Sequence, residues 1–254
     1  MSAQPRSAET QRRIRATVRA VLSSGVWLVI SVQAIAVGLW MQWVVPAASA
    51  DEPGMNLPTI VLVLGVVLVA YTYVMSGTFR SFAVGTATVS AMDTLNRGKE
   101  VFSQFMWLWL KVLLLGLVVL YSLGALIPMI GAAAGKTTEQ IIRALAPGLQ
   151  GLAFLAPFVF VYWLPVVFVK NNFRVLPTVR AALLLIWQRL TKSSFLAFLV
   201  FVPLVILWLL PDNAPLAVLL TVSVFGQLMA WIANIYCVEA VLENPGWVRG
   251  LRPT

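Results

Sequence analysis

The sequence predicts an all-α membrane protein: a bundle of six transmembrane helices with both termini in the cytoplasm. Three observations lead to this prediction. Of the 254 residues, 60% are apolar and only 11% are charged, whereas a soluble domain carries about 25% charged residues. The apolar residues are collected into six long uncharged runs. The basic residues lie almost entirely on one side of those runs.

The composition also excludes several classes of protein. The chain has no histidine, the commonest metal ligand and general base, and its one cysteine, Cys237, cannot form a disulfide within the chain. We therefore expect no metal and no other cofactor. A net charge of +9 would suit a nucleic-acid partner. The charges lie between apolar runs, however, where membrane topology signals belong, so we expect no nucleic acid to bind.

Each uncharged run is long enough to cross a bilayer, because about 30 Å of hydrocarbon requires roughly 20 residues of helix. The whole chain is then one integral membrane domain, 1–254. Residues 1–20 form a basic cytoplasmic tail before the first span, and residues 239–254 form a second cytoplasmic tail. The predicted spans are residues 21–45, 58–78, 105–130, 148–169, 194–210 and 216–238.

The first predicted span has a second interpretation, a cleaved signal peptide. A basic region with Arg12, Arg13, Arg15 and Arg19 precedes it, and the sequence Ala48-Ser49-Ala50 resembles a cleavage site. The uncharged run is 25 residues long, however, whereas the apolar region of a signal peptide has about 7–15. Trp40 and Trp43 near its far end also fit an interfacial anchor. We favour a retained helix, with cleavage after Ala50 as the alternative.

The positions of the basic residues predict the orientation of the bundle. If the N-terminus is cytoplasmic, 16 of the 18 Lys and Arg residues lie on the cytoplasmic side, and only Lys136 and Arg143 lie outside. Cytoplasmic loops of membrane proteins carry this excess of positive charge. The predicted cytoplasmic basic residues are Arg6, Arg12, Arg13, Arg15, Arg19, Arg80, Arg97, Lys99, Lys111, Lys170, Arg174, Arg180, Arg189, Lys192, Arg249 and Arg252.

The second cytoplasmic connector predicts an amphipathic helix. Its apolar stripe comprises Leu176, Val179, Leu183, Ile186, Trp187 and Leu190. Its predicted opposite arc comprises Arg180, Gln188, Thr191 and Lys192. Such a helix is expected in the headgroup region of a membrane. The candidate contacts to anionic lipid headgroups or to a partner are Arg174, Arg180, Arg189 and Lys192. The alternative is a solvated connector that binds no ligand.

The first cytoplasmic connector is rich in small residues. Gly77, Ser81 and Gly85 recur every four residues, a spacing that lets the backbone of another helix approach closely. We therefore take these three residues as a candidate helix-packing seam. The same pattern predicts that the second helix continues to about Leu95 and ends near Gly98.

The cores of the six predicted spans contain no charged residue, which would mark catalysis or coupled transport in a membrane. We therefore expect no enzymatic activity and no catalytic residue. Gln227 and Asn234 are seven residues apart and lie on one face of the sixth span. They are candidates for lining a polar path, although such amides also hydrogen-bond neighbouring helices.

The stretch from Tyr162 to Leu207 resembles a known architecture. Tyr162-Trp163-Leu164-Pro165 closes a span, and Asn171-Asn172, the 176–187 helix and Ser193-Ser194-Phe195 follow in order. This order resembles bacterial six-helix membrane proteins related to the membrane domain of glycerophosphodiester phosphodiesterases. The resemblance covers about half the chain. Lys170 stands where such proteins often have an acidic residue.

The resemblance implies a multi-pass protein of the bacterial cytoplasmic membrane, and it implies no catalytic residue. The order of span, inner connector and span also occurs between Tyr71 and Val118, so the two halves are candidates for a degenerate parallel repeat.

The function that fits these observations best is non-enzymatic. We expect a scaffold, assembly factor or accessory subunit that acts by helix packing and through its basic cytoplasmic face. Its expected partners are the lipid bilayer, anionic lipid headgroups, and another membrane protein or a second copy of the chain. One alternative is a transporter or permeability factor for a small or lipid-like solute. A lipid-acting enzyme, or a protein that recruits one, rests on the family resemblance alone.

Overall fold

The computed structural model describes residues 15–44, 57–135, 137–188, 190–211 and 214–243. Within these ranges every regular element is a helix, as the sequence predicts. The predicted spans 58–78, 105–130, 148–169 and 216–238 each lie inside one helix, the span 194–210 extends one residue beyond its helix, and the span 21–45 is interrupted by residues 22–23, which are not helical. The helices are α1 (residues 15–21), α2 (Ser24–Leu39, continued by a π-helical turn, Trp40–Val44), α3 (Leu57–Ala83), α4 (Ala91–Ala134), α5 (Thr138–Val169), α6 (Val175–Gln188), α7 (Leu190–Leu209) and α8 (Leu216–Glu243).

Four of the described helices are long and apolar enough to cross a membrane, a feature of membrane proteins. These candidate segments are Ser24–Gln42, Thr59–Ala83, Ala91–Gly131 and Leu216–Leu242. Shorter apolar segments are Leu155–Val169, Val175–Trp187 and Phe195–Leu209. The first predicted tail is partly helical, because its last residues form α1, in which Thr17 and Ala20 are buried. The Ala48-Ser49-Ala50 sequence lies outside the described residues.

The prediction that the second helix continues to about Leu95 is wrong. Helix α3 ends at Ala83, residues 84–90 form a turn, and α4 starts at Ala91. The Ser90 hydroxyl accepts a hydrogen bond from the Asp93 backbone N–H at 3.0 Å, and the Asp93 carboxylate accepts one from the Ser90 N–H at 3.1 Å. This reciprocal cap satisfies backbone groups that a helix start leaves unpaired. Gly98 therefore lies inside α4 and does not end a helix.

The hydrophobic core lies at one end of the bundle, where α3, α4, α5 and α8 meet through aromatic rings. Phe79 stacks on Phe168 with ring centroids 5.2 Å apart, and Trp231 lies 4.8 Å from Phe79. Phe105 contacts the other side of this group, 5.0 Å from Phe168. We call this region the packed end. It comprises residues 20–30, 74–82, 89–108, 161–185 and 231–241.

Away from the packed end, α4 and α5 are mostly exposed. We call residues 109–135 and 138–157 the α4–α5 arm. Helix α4 has 44 residues and is therefore about 66 Å long, more than the roughly 40–45 Å of a bilayer with its headgroups. Apolar side chains of the arm such as Leu117 and Tyr121 are exposed, Tyr121 to 83%. These side chains require an apolar environment that the described chain does not supply.

Two parts of the chain share one architecture. Unit 1 is α3, its turn and residues 91–103 of α4; unit 2 is α5, its turn and residues 175–187 of α6. Each first helix ends in the same cap, with a left-handed residue two positions after the helix end, Gly85 at φ 89° and Asn171 at φ 47°. The N–H of the left-handed residue bonds the carbonyl three positions earlier, at 2.9 Å in unit 1 and 3.2 Å in unit 2. The N–H of the next residue bonds the carbonyl five positions earlier, at 3.2 Å in unit 1 and 3.0 Å in unit 2.

The second helices of the two units also match. When Ala91 is aligned with Val175, twelve of the thirteen positions up to residues 103 and 187 agree in being buried, half-buried or exposed, Leu95 and Val179 being the exception. Both helices have a buried threonine as their fourth residue, Thr94 and Thr178. The repeated order of elements predicted from the sequence thus corresponds to two units with the same local geometry.

Candidate functional site

Helices α3 and α4 approach each other closely at Gly77 of α3. A Cβ added there would overlap the backbone carbonyl oxygen of Thr94 and lie 2.8 Å from the backbone nitrogen of Gly98. Only a glycine permits this distance, because real Cβ atoms almost never come so near to backbone. A Cβ on Gly98 would in turn lie 2.9 Å from the Tyr73 ring. Helices α3 and α4 therefore touch backbone to backbone.

Buried hydroxyl groups connect the same place to α2. Thr78 and Thr94 share a hydrogen bond at 3.0 Å, and the Thr78 hydroxyl also donates to the Val74 carbonyl at 2.9 Å. The Gly25 N–H of α2 bonds the Val89 carbonyl at 2.8 Å, and a Cβ on Gly25 would lie 2.5 Å from the Thr94 hydroxyl. These contacts fix three helices against one another with neutral groups, whose burial is inexpensive when they are hydrogen-bonded.

The three predicted seam residues have different places in the structure. Gly77 lies at the backbone contact just described. Ser81 is buried, and its hydroxyl bonds the Gly77 carbonyl at 2.9 Å. Gly85 is in the turn, and a Cβ there would meet open space. Gly85 is therefore not part of a seam, and its glycine serves the left-handed turn conformation.

In unit 2, a hydrogen bond between side chains holds the two helices together. The buried indole of Trp163 in α5 donates a hydrogen bond to the Thr178 hydroxyl at 2.7 Å. The Thr178 hydroxyl also donates to the Arg174 carbonyl. Trp163 lies six residues before the end of α5, as Gly77 does before the end of α3. A large side chain thus occupies the position that a glycine has in unit 1.

The described residues of the predicted α6 stripe are exposed or half-buried, and other residues form the buried side of the helix. Thr178, Ala182 and Leu185 are buried at the packed end. On the outer side, Leu176 and Trp187 are each 79% exposed and Leu183 is 50% exposed. We call these last three residues the α6 ridge.

The prediction that Arg180 lies on the arc opposite the apolar stripe is wrong. Four residues advance a helix by about 400°, so Arg180 lies about 40° from Leu176, and both are exposed. The exposed Arg174 precedes α6. Of the other two predicted contacts, Arg189 lies outside the described residues, and only the backbone of Lys192 is described, within α7. The α6 ridge is thus bordered by at least two exposed guanidinium groups.

The two residues of the predicted polar path are buried or half-buried in the bundle. Asn234 is buried, and its side-chain nitrogen donates to the Ala230 carbonyl at 2.8 Å, while its side-chain oxygen has no hydrogen-bond partner. Gln227 is half-buried. Gln33 of α2, which contacts α8, also has a buried side-chain oxygen without a partner. Two helices in contact therefore each contain an unpaired amide oxygen.

Charged residues of unit 1 pair with one another. Arg97 donates to Glu100 at 2.8 Å, and the Arg80 guanidinium lies 3.6 Å from the same carboxylate. The Asp93 carboxylate accepts hydrogen bonds from the hydroxyl and the backbone N–H of Ser90, at 2.6 and 3.1 Å. Within the described residues, no group of three or more His, Cys, Asp or Glu side chains could hold a metal ion.

The sequence patterns did not predict the contacts of five residues described above, Gly25, Thr78, Thr94, Trp163 and Thr178. One signal was present: Ser90 and Asp93 have the spacing of a capped helix start, which would have placed Thr94 in the first turn of a new helix.

Comparisons with known proteins identify no relative, because no family model, no curated protein and no solved structure matches the chain.

Proposed function

We propose that the chain is a multi-pass protein of the bacterial inner membrane that acts without catalysis as a scaffold, assembly factor or accessory subunit. In this proposal it has six spans and both termini in the cytoplasm. The charge asymmetry of the sequence supports the orientation. The lengths of the helices support the count, because α5 and α7 have 32 and 20 residues and reach about 48 and 30 Å.

The packing of α2 supports a retained first span. Val26 and Val29 of this helix are fully buried, and Gly25 is hydrogen-bonded to the turn between α3 and α4. A cleaved signal peptide would leave these surfaces of α3 and α4 uncovered. We therefore place α2 in the mature protein.

The observation that carries the scaffold proposal is the contrast between the packed end and the α4–α5 arm. The packed end fixes the helices through backbone contacts and stacked rings. The arm extends from it as two long helices whose apolar side chains are mostly exposed on their own chain. In a bilayer, such a surface is open to lipid and to helices of other proteins, and helix association there depends on packing. A tightly packed end, together with an α4–α5 arm that its own chain does not cover, suits a protein that binds another membrane protein and holds it in place.

A crosslinking experiment in native membranes tests this proposal. A photoreactive amino acid replaces Leu117 or Tyr121 in the arm, and Val66, exposed on α3, serves as the matched control position. We expect illumination to give a discrete protein adduct from the two arm positions, either with a second copy or with another subunit, and none from position 66. Adducts with lipid alone from all three positions would contradict the scaffold function.

The unpaired amide oxygens of Gln33 and Asn234 favour the second candidate, a transporter or permeability factor. Buried polar atoms without partners are costly, and they are retained where a solute or water supplies the missing bond. If the arm gives no protein adduct and the purified chain makes vesicles permeable to a small solute, the transport function replaces the scaffold function. Replacing Asn234 with Leu should then reduce that flux.

A further inference from the structure

The two repeated units have different surfaces at two equivalent positions. On the outer side of α4, positions 96, 99 and 103 are Asn, Lys and Ser, all exposed. The equivalent positions of α6 are Arg180, Leu183 and Trp187, also exposed. The same helix geometry therefore presents Lys99 and Ser103 in unit 1 where unit 2 presents Leu183 and Trp187, while the exposed residue Met92 of unit 1 is apolar like its equivalent Leu176. Water solvates Lys99 and Ser103 well, but Leu183 and Trp187 require an apolar cover.

The charges around the two surfaces also differ. Residues 91–104 contain two acidic and two basic side chains, Asp93, Arg97, Lys99 and Glu100, so that segment is neutral. Residues 170–194 contain five basic side chains and no acidic one. Two of the five, Arg174 and Arg180, are exposed beside the α6 ridge. The cover of the ridge must therefore be apolar where it meets Leu183 and Trp187, and negatively charged around them.

We propose that the α6 ridge inserts at the boundary between headgroups and acyl chains of an anionic lipid leaflet. Leu183 and Trp187 then contact acyl chains, while Arg174 and Arg180 reach the lipid phosphates. This combination of exposed Leu and Trp with basic residues is typical of helices that lie at the surface of anionic membranes. The opposite side of α6 stays fixed at the packed end through Thr178 and Ala182. The placement is independent of the scaffold function, because it concerns a different surface from the α4–α5 arm.

Spin labels on the full chain in vesicles test this placement. Cys237 is replaced by Ala, so that a single introduced cysteine is the only thiol. Leu183→Cys and Trp187→Cys report on the ridge, and Lys99→Cys and Ser103→Cys are the matched controls at the equivalent positions of unit 1. All four sites are exposed, so the labels should not disturb folding, which monodisperse extraction checks. Collisions with oxygen measure contact with acyl chains, and collisions with a water-soluble nickel chelate measure contact with water.

We expect oxygen collisions to dominate at positions 183 and 187 and nickel collisions to dominate at positions 99 and 103, in vesicles with an anionic phosphatidylglycerol fraction. Nickel-dominated collisions at 187, as at 103, would overturn the insertion. Low collision rates with both reagents at 183 and 187 would overturn it in favour of a protein that covers the ridge.

A second set of measurements tests whether the insertion depends on lipid charge. In neutral phosphatidylcholine vesicles, or in the Arg174→Gln/Arg180→Gln variant in anionic vesicles, position 187 should become more accessible to nickel. Each basic residue near an anionic surface contributes about 1 kcal/mol, roughly a fivefold change in partitioning. An accessibility that depends neither on lipid charge nor on the two arginines would overturn the anionic specificity.

Discussion

The two helix–turn–helix units differ in how they hold their helices together. In unit 1, Gly77 lets α3 and α4 touch through their backbones. In unit 2, Trp163 occupies the equivalent position and bonds Thr178 through its indole. A backbone contact cannot adjust to an added atom, whereas a side-chain contact can shift by changing rotamers. The same architecture thus depends on the absence of a side chain in one unit and on the presence of one in the other.

This comparison teaches that small residues on a helix have no single meaning. Gly65, Gly77 and Gly85 all belong to α3 or its turn, yet one faces open space, one makes a helix contact and one permits a left-handed turn. Their spacing in the sequence does not distinguish these roles. Substitutions at each position can, because the physical cost differs in each case.

The largest expected effect is at the backbone contact. Gly77→Ala should lower the free energy of unfolding by about 3 kcal/mol, the upper end of the usual cost of overpacking, because its Cβ would overlap the Thr94 carbonyl and the backbone cannot relax easily. Gly65→Ala on the same helix meets open space and should be neutral or stabilising by up to about 1 kcal/mol. Equilibrium unfolding in mixed micelles measures both. Equal stabilities would show that the α3–α4 contact is looser than described.

The buried threonines provide the next effect. Thr178→Val should cost about 1–3 kcal/mol, because it leaves the buried indole N–H of Trp163 without this acceptor. Thr94→Val should cost less, since the Thr78 hydroxyl keeps its bond to the Val74 carbonyl. The same unfolding measurement compares the two variants. If Thr94→Val is the more damaging, hydroxyl bonding matters more to unit 1 than to unit 2, and the contrast between the units reverses.

The smallest of the three effects is at the turn of unit 1. Gly85→Val should cost about 1–2 kcal/mol, because a β-branched residue is disfavoured at φ 89°, although a Cβ there meets no other atom. Gly85→Asn, which introduces the residue that unit 2 has at this position, should cost clearly less, since Asn tolerates the left-handed region. Thermal unfolding in detergent ranks the variants. A Gly85→Asn variant as unstable as Gly85→Val would mean that the cost is not conformational.

Much of the fold follows from local sequence. The apolar runs predict helices, and four of the six predicted spans lie within single helices of the structure, because length and hydrophobicity are properties of consecutive residues. The spacing of small residues does not by itself give the exact course of the first connector. A stripe of small residues suits a continuous helix as well as it suits a helix that ends at Ala83 and starts again at Ala91. The cap formed by Ser90 and Asp93 decides between them.

The candidate site divides in the same way. The sequence alone determined that residues 176–187 form a helix with an apolar stripe, that Gly77 and Ser81 lie on one helix face, and that the cores of the predicted spans contain no charge. Only the tertiary structure decided that Gly77 touches Thr94, and that the side of α6 with Thr178 and Ala182 is buried while the side with Trp187 is exposed. Periodicity gives the angle of a residue around its own helix, but burial depends on which helix lies opposite. That choice is made by contacts between residues far apart in the chain, such as Gly25 with Val89 and Phe79 with Phe168.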